Sequence, residues 1–173
     1  HDVRAACVLL AAGPRAAQAL VPSLPAAPQL QAMNLVLEGP WPLGERLGVG
    51  ARSGGRFLFL VPWREHMLAG TDYKAGTAGV PSDKGNRPGP KGGEDVRGFR
   101  AEIARAFPWA GIEGRRVTLV HRGSVPGEAG PNGLWTRPRL VDHGATDGLR
   151  GLLSIQGVKY TTARAVSERA LGL

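Results

Sequence analysis

Residues 151–164, Gly-Leu-Leu-Ser-Ile-Gln-Gly-Val-Lys-Tyr-Thr-Thr-Ala-Arg, hold the residue types and spacing best suited to chemistry in this chain. The apolar run Leu152, Leu153 and Ile155 predicts a short strand, Gly157 ends it, and Thr161 or Thr162 can cap a helix through Ala163, Val166 and Ala170. A glycine at such a turn lets the backbone come close to a ligand, and the free amides of a helix start carry about half a positive charge. Lys159 adds a full one. Strand, glycine turn, lysine and helix start make a site for an anion, or for a carbonyl that gains negative charge during a reaction. The same residues also fit a plain strand-to-helix turn with an exposed lysine. The stretch is not a P-loop, because Val158 separates Gly157 from Lys159 and Tyr160 follows the lysine.

Other reactive side chains are isolated. His1, His66, His121 and His143 show none of the short spacings that hold zinc, so no metal site is expected. The pair Asp142-His143 invites an acid–base reading, but neighbours on a strand point to opposite faces, which favours a structural or exposed role. Cys7 is the only cysteine, which excludes an internal disulfide, and its apolar neighbours Val8 to Leu10 predict a buried, inert thiol.

The elements that must position these residues follow from pattern. Residues 3–12 are nearly continuous in apolar character and predict a parallel strand buried on both faces, ended by Gly13-Pro14, with a short helix over Ala16 to Leu20. Residues 21–28 are proline-rich and read as a connector. Strands are expected at 31–38, 46–52, 56–62 and 66–71, separated by Gly and Pro turns in the manner of an antiparallel sheet. The Gly/Pro-rich stretch 74–93 reads as a mobile surface loop. A helix over 94–107 should bury Val96, Phe99, Ile103 and Phe107, which recur at three- and four-residue steps before Pro108. Residues 116–122 alternate like a half-buried strand, 127–135 form another loop, and 137–143 form a short strand.

At 173 residues and 42% hydrophobic content the chain can build a soluble core. Its net charge of +8 is shared by nucleic-acid binders, but the basic residues are scattered and no run exceeds the pair Arg115-Arg116. No apolar run reaches the roughly 18 to 20 residues of a membrane span, and no signal peptide is evident. Beginning with His1-Asp2-Val3-Arg4, the chain reads as the interior or tail of a longer protein.

The order of its motifs resembles the FAD-dependent glycerol-3-phosphate dehydrogenases, amino-acid-oxidase-like flavoproteins. Residues 157–164 are similar to the family's Gly-Gly-Lys-x-Thr-Thr-x-Arg segment, which lies under the flavin ring. Ala11-Ala12-Gly13-Pro14 resembles its Ala-Thr/Ala-Gly-Pro-Trp, with Arg15 in place of tryptophan. Phe59-Leu60-Val61-Pro62-Trp63-Arg64 followed by Leu68-Ala69-Gly70-Thr71-Asp72 parallels its Phe-x-Ile-Pro-Trp and Ile-Gly-Thr-Thr-Asp pair, and Arg105-Ala106-Phe107-Pro108 matches its helix end. Two positions depart. Val125 stands where the family has an arginine facing the substrate phosphate, and Asn34 aligns with a histidine of many respiratory members. Arginine is the residue suited to bidentate phosphate recognition, and an amide cannot accept a proton at neutral pH.

The resemblance implies an α/β (α+β) chain. Residues 1–20 and 146–173 would belong to an FAD-binding Rossmann-like domain, and 21–145 would form an antiparallel-sheet substrate domain with its helix near 94–107. The amino-terminal dinucleotide-binding half, with its Gly-x-Gly-x-x-Gly fingerprint, would be missing, so the chain alone would hold FAD poorly and be inactive. Ala12, Gly13, Gly157, Val158, Lys159, Tyr160, Thr161 and Thr162 would contact the flavin. Asn34, Arg122 and Lys159 would contact substrate, with Lys159 and His121 catalytic and His121 taking the proton that Asn34 cannot. Arg122 could replace the missing phosphate arginine, although it neighbours His121 on a strand and so points to the other face.

The implied reaction passes hydride from C2 of sn-glycerol 3-phosphate to flavin N5, giving dihydroxyacetone phosphate. Implied partners are that phosphate substrate and quinone or oxygen as electron acceptor, with no nucleic acid. The full protein would be cytoplasmic, with possible peripheral attachment to the inner face of the cell membrane. Rival readings are a related flavin oxidase acting on another hydroxy acid or an amine, a basic nucleic-acid-binding module, and a degenerate, non-catalytic fragment.

Overall fold

In the computed structural model, which describes residues 4–13, 19–22, 28–44, 47–75, 93–127, 133–157 and 159–172, the chain divides into two units. One is Gln31–Ser124; the other joins His1–Leu30 to Val125–Leu173. The described strands are β1 (Val8–Leu10), β2 (Gln29–Glu38), β3 (Val49–Ser53), β4 (Arg56–Trp63), β5 (His66–Ala75), β6 (Val117–Pro126), β7 (Arg139–Asp142) and β8 (Leu152–Gln156). Helices α1 (Glu94–Ala106), α2 (His143–Thr146) and α3 (Ala163–Leu171) accompany them, so the architecture is mixed α+β. No described helix is long and apolar enough to cross a membrane.

The 31–124 unit is built on a five-stranded sheet of order β3-β4-β5-β2-β6, of which β2 and β6 run on a little past its limits. β3, β4 and β5 form two antiparallel hairpins. Ser53 pairs with Arg56 across Gly54-Gly55, whose φ values of 55° and 81° supply the left-handed pair that a tight hairpin turn needs. Alternation along the strands sends Met33, Leu35, Leu37, Leu58, Leu60, Met67, Ala69 and Val120 to one face, where they pack on Val96, Phe99 and Ile103 of α1. Each large apolar side chain buried there contributes about 2 kcal/mol. Glu94 and Asp95 in the first turn of α1 and Arg105 in its last oppose the helix dipole. The helix stops at Phe107, whose amide still bonds to the Ile103 carbonyl at 2.9 Å, and Phe107 itself is buried.

The other unit carries a three-stranded sheet of order β1-β8-β7. β1 is parallel to β8, with Val8 beside Leu152 and Leu10 beside Ser154, and β7 is antiparallel to β8. Residues 139–145, read from sequence as part of the sheet domain, fall here because β7 pairs with β8. Helix α3 buries Val166 and Ala170.

Two sequence expectations are corrected. The strand expected over 3–12 extends only over Val8–Leu10, and it is not buried on both faces: Val8 is 46% and Leu9 43% exposed. Cys7 is exposed rather than buried. The reason is position, since β1 is an edge strand with β8 as its single neighbour in the described sheet. The loop expected at 74–93 falls mostly outside the described residues, as do most of the helix expected at 16–20 and the connector at 21–28, whereas β5 runs on to Ala75.

Candidate functional site

The face of the larger sheet turned away from α1 carries the polar residues singled out by sequence. Asn34 alternates with Met33 and Leu35, both in the core, and so points to the opposite face. His121 sits between Val120, in that core, and Arg122, which reaches α1. The lie of β6 beside β2 follows from their contacts. Gln31 Nε2 donates to Ser124 Oγ at 3.2 Å, Met33 and Arg122 line one cavity, and Leu35 and Val120 share the core. β6 lies next to β2 in the sheet, and Asn34 and His121 are on the same face of it.

Asn34 is held by the Thr71 hydroxyl, which donates to its Oδ1 at 2.8 Å. Gly70 makes the room: a Cβ there would overlap Asn34 Oδ1 and lie 2.9 Å from Phe59 Cζ. The His121 ring meets Trp63 edge to face at 5.7 Å between centroids, and the Arg64 guanidinium lies 5.4 Å from the Trp63 centroid. Trp63, Gly70 and Thr71 were legible in sequence only as motif residues. Their support of His121 and Asn34 is tertiary.

The helix side of the same sheet is an ion-pair layer. Arg56 donates to Asp72 at 2.5 Å and to Glu102 through two nitrogens, one at 2.8 Å. The Arg56 hydrogen bond holds the Glu102 carboxyl below its ordinary value and outweighs burial, which acts the other way. Arg122 donates to Asp95 at 2.5 Å. Burial alone would raise the Asp95 carboxyl, but the Arg122 and Val96 hydrogen bonds, with the charges of Arg122 and Lys74, bring it below its ordinary value. Arg122 is therefore on the opposite side of the sheet from His121. Of the sequence-derived substrate residues in this unit, Asn34 and His121 share a face and Arg122 does not.

In the other unit the residues with flavin-binding expectations come from two neighbouring loops. Because β1 and β8 run parallel, Ala12-Gly13 after β1 and Gly157 to Thr162 after β8 leave the sheet at the same, carboxyl-terminal end. That end is where ligands bind open sheets with parallel strands. Gly13 has φ 94°, and among the described residues nothing lies within 4 Å of where a Cβ would stand on Gly13 or Gly157, so those residues leave the backbone open to a flat ligand at both turns. Lys159 and Thr161 are exposed. A single 3-10 turn, Tyr160–Thr162, leads into α3. Thr162 stands at the helix N-cap, but its hydroxyl donates back to the Lys159 carbonyl at 2.9 Å and makes no side-chain cap. The α3 amides are thus left without a threonine oxygen. Val158 lies outside the described residues.

His143 is structural by its surroundings. It opens α2 rather than ending a strand, and its partner is Asp147, one helical turn on, at 2.7 Å from Nδ1. Nε2 meets Ser154 Oγ of β8 at 2.7 Å. Asp142 instead caps the helix, accepting from the Gly144 amide at 2.8 Å. The arrangement has the order of a Ser-His-Asp triad, but Ser154 is 3% exposed and cannot meet a substrate. Among the described residues no cluster of His, Cys, Asp or Glu could hold a metal.

No family model matches the chain. By sequence it is 30% identical over 182 residues to the mitochondrial glycerol-3-phosphate dehydrogenase of Homo sapiens, and 29% over 175 residues to that of Mus musculus. Each alignment covers 96% of this chain and 23% of the relative, so the chain spans about a quarter of the length of the curated relatives it matches. Among solved structures it matches the glycerol-3-phosphate dehydrogenase from Bacillus halodurans complexed with FAD, with a TM-score of 0.61 and 20% identity, covering 99% of this chain and 32% of that one. It also matches glycine oxidase from Geobacillus kaustophilus, with a TM-score of 0.56 and 20% identity, over 95% of this chain and 39% of that one. These likenesses establish a shared fold.

Proposed function

We propose that this chain, related by sequence to glycerol-3-phosphate dehydrogenases along 96% of its length, is the substrate-sheet segment of an FAD-dependent oxidoreductase. Its reaction would be the oxidation of sn-glycerol 3-phosphate at C2 to dihydroxyacetone phosphate, with quinone or oxygen as final acceptor. The observation that carries this reading is the parallel β1–β8 pair, which brings Ala12-Gly13 and the Gly157–Thr162 turn to one end of their sheet. The flavin, when bound, supplies the hydride acceptor. Residues 157–162 offer it a glycine opening, an exposed lysine charge and the first amides of α3. Such positive potential favours negative charge developing on the flavin as the substrate is oxidised.

On the larger sheet, His121 is the group suited to take the hydroxyl proton, and its ring packs perpendicular to that of Trp63. Lys159 is the proposed positively charged contact for the cofactor. Arg122 is held by Asp95 on the helix side, so it does not replace the arginine absent at Val125. That observation favours a second reading, in which the same fold oxidises an unphosphorylated hydroxy acid or an amine.

The test is anaerobic bleaching of the flavin in the complete protein. Rapid bleaching by glycerol 3-phosphate, and slow bleaching by free glycerol or glycine, supports the first reading. The reverse order of substrates supports the second. A flavin that none of them bleaches would refute both.

A further inference from the structure

Three side chains of the terminal unit make a polar contact at the root of the 157–162 turn. His143 Nδ1 lies 2.7 Å from Asp147 Oδ2, and its Nε2 lies 2.7 Å from Ser154 Oγ. A carboxylate only accepts, so Nδ1 carries a proton, and in the neutral ring Nε2 accepts from the serine hydroxyl. The backbone of His143 is held as well, because its carbonyl accepts from the amides of Asp147 and Leu149, both at 2.9 Å. Ser154 is flanked by Leu10 of β1 and Val141 of β7, and it is the last residue of β8 with a described strand on each side. Beyond that row β1 has ended, and Ile155 and Gln156 pair with β7 alone among the described strands. Both loops of the flavin reading leave the sheet from here, Ala12-Gly13 soon after Leu10 and Gly157 soon after Ser154. Among the described residues the turn's own hydrogen bonds are short-range: the Thr162 amide and hydroxyl both donate to the Lys159 carbonyl, at 3.3 and 2.9 Å.

We infer that His143, Asp147 and Ser154 are positioning residues for the cofactor turn: the buried imidazole pins β8 at its last doubly paired residue and so fixes the direction in which Gly157 to Thr162 leave the sheet. The inference rests on the flavoprotein reading above. His143 and Ser154 are 5% and 3% exposed, so they meet no ligand and act through the strand. A satisfied polar contact buried in a sheet holds one distance and one direction, whereas an apolar side chain in its place would let the strand tilt or slide. Lys159 and the first amides of α3 act on a bound flavin according to their distance from it. A turn whose root drifts therefore loses electrostatic stabilisation even though each of its residues is still present.

The test uses the complete protein, freed of FAD and reloaded, with Ser154→Ala, His143→Leu, the Ser154→Ala/His143→Leu double variant and Ile103→Val. The last, in the core of the other unit, supplies a loss of stability unrelated to the turn. FAD affinity is read from quenching of flavin fluorescence, the flavin midpoint potential from a dye-coupled titration, and stability from thermal unfolding. Ser154→Ala should raise the FAD Kd about tenfold, the most that one net hydrogen bond can pass on, and should lower the midpoint potential as Lys159→Ala does. It should add little once His143 is leucine, while Ile103→Val should keep the parent's potential and its affinity within about twofold. If Ser154→Ala lowers the unfolding temperature but keeps the parent's affinity and potential, the contact is purely structural and the inference is overturned. Ile103→Val weakening FAD binding as much as Ser154→Ala would overturn it too, because the effect would then be general destabilisation. Where Lys159→Ala shifts the potential and Ser154→Ala does not, the cofactor turn stands and only the positioning role falls. A complete protein that binds no FAD refutes the flavoprotein reading and the inference with it.

Discussion

His143 Nε2 and Ser154 Oγ meet at 2.7 Å inside the terminal unit, with the two residues 5% and 3% exposed. The contact ties the start of α2 to the middle of β8, the strand that leads into the Gly157–Thr162 turn. Its partners extend through Asp147 to the Thr146 hydroxyl, 2.5 Å from Asp147 Oδ2. The Thr146 hydrogen bond, followed by that of His143, holds the Asp147 carboxyl below its ordinary value.

Ser154→Ala leaves a buried imidazole nitrogen without its partner. The expected cost is about 1–3 kcal/mol in urea-induced unfolding. Ser154 is buried and so is not a nucleophile; the complete protein should show no labelling of this serine by a fluorophosphonate. Labelling at Ser154 would contradict the structural role.

Removal of Arg56 should both destabilise the sheet and change its response to acid. Arg56 is one-third exposed in its side chain while Asp72 is 6% exposed, so Arg56→Leu abandons a buried carboxylate to Lys74, 3.4 Å away. After allowance for the exposed part of the arginine, the expected loss is about 2 kcal/mol at neutral pH. The Glu102 carboxyl lies below its ordinary 4.5 when folded, so the unfolded chain binds that proton more readily. Its stabilisation is full above the unfolded value and is lost as pH falls through the lower folded one. The gap between parent and Arg56→Leu should therefore narrow below about pH 4, as thermal melts across that range would show. A gap that widened there would reverse the assignment.

Lys159→Ala in the complete protein removes the charge proposed to face the flavin. Flavin reduction should slow by about tenfold or more, and the flavin midpoint potential should fall, because the reduced anion loses its counter-charge. Lys159→Arg should recover part of both. An unchanged rate and potential would take Lys159 out of the mechanism.

His121→Gln keeps a planar polar group beside Trp63 but cannot accept a proton. The expected result is a rate of flavin reduction lowered by about 10²-fold or more. Binding of dihydroxyacetone phosphate should change little. A variant that reduced the flavin as fast as the parent would assign the proton to another group.

Periodicity alone was enough for elements whose partners lie in their own pattern. The helix at 94–106 and its buried face of Val96, Phe99 and Ile103 are readable at three- and four-residue steps, because one apolar stripe must meet one core. The strands at 29–38, 56–63 and 66–75 are readable for the same reason, with ends set a few residues further out by pairing. Cys7 and Val8 were misread because apolar composition does not say whether a strand is central or at an edge.

The sequence by itself determined which residues could carry chemistry: Lys159 after a glycine turn, His121 beside Arg122 on one strand, and Asn34 among apolar neighbours. Only the tertiary structure decided what each does there. It tied Arg122 to Asp95, gave His143 to Asp147 and Ser154 in place of Asp142, and set Thr71 and Gly70 around Asn34, 36 to 37 residues along the chain. Local pattern fixes the direction of a side chain relative to its own strand or helix. Which distant donor, acceptor or ring meets it depends on strand order and register, and these are set by the sheet as a whole.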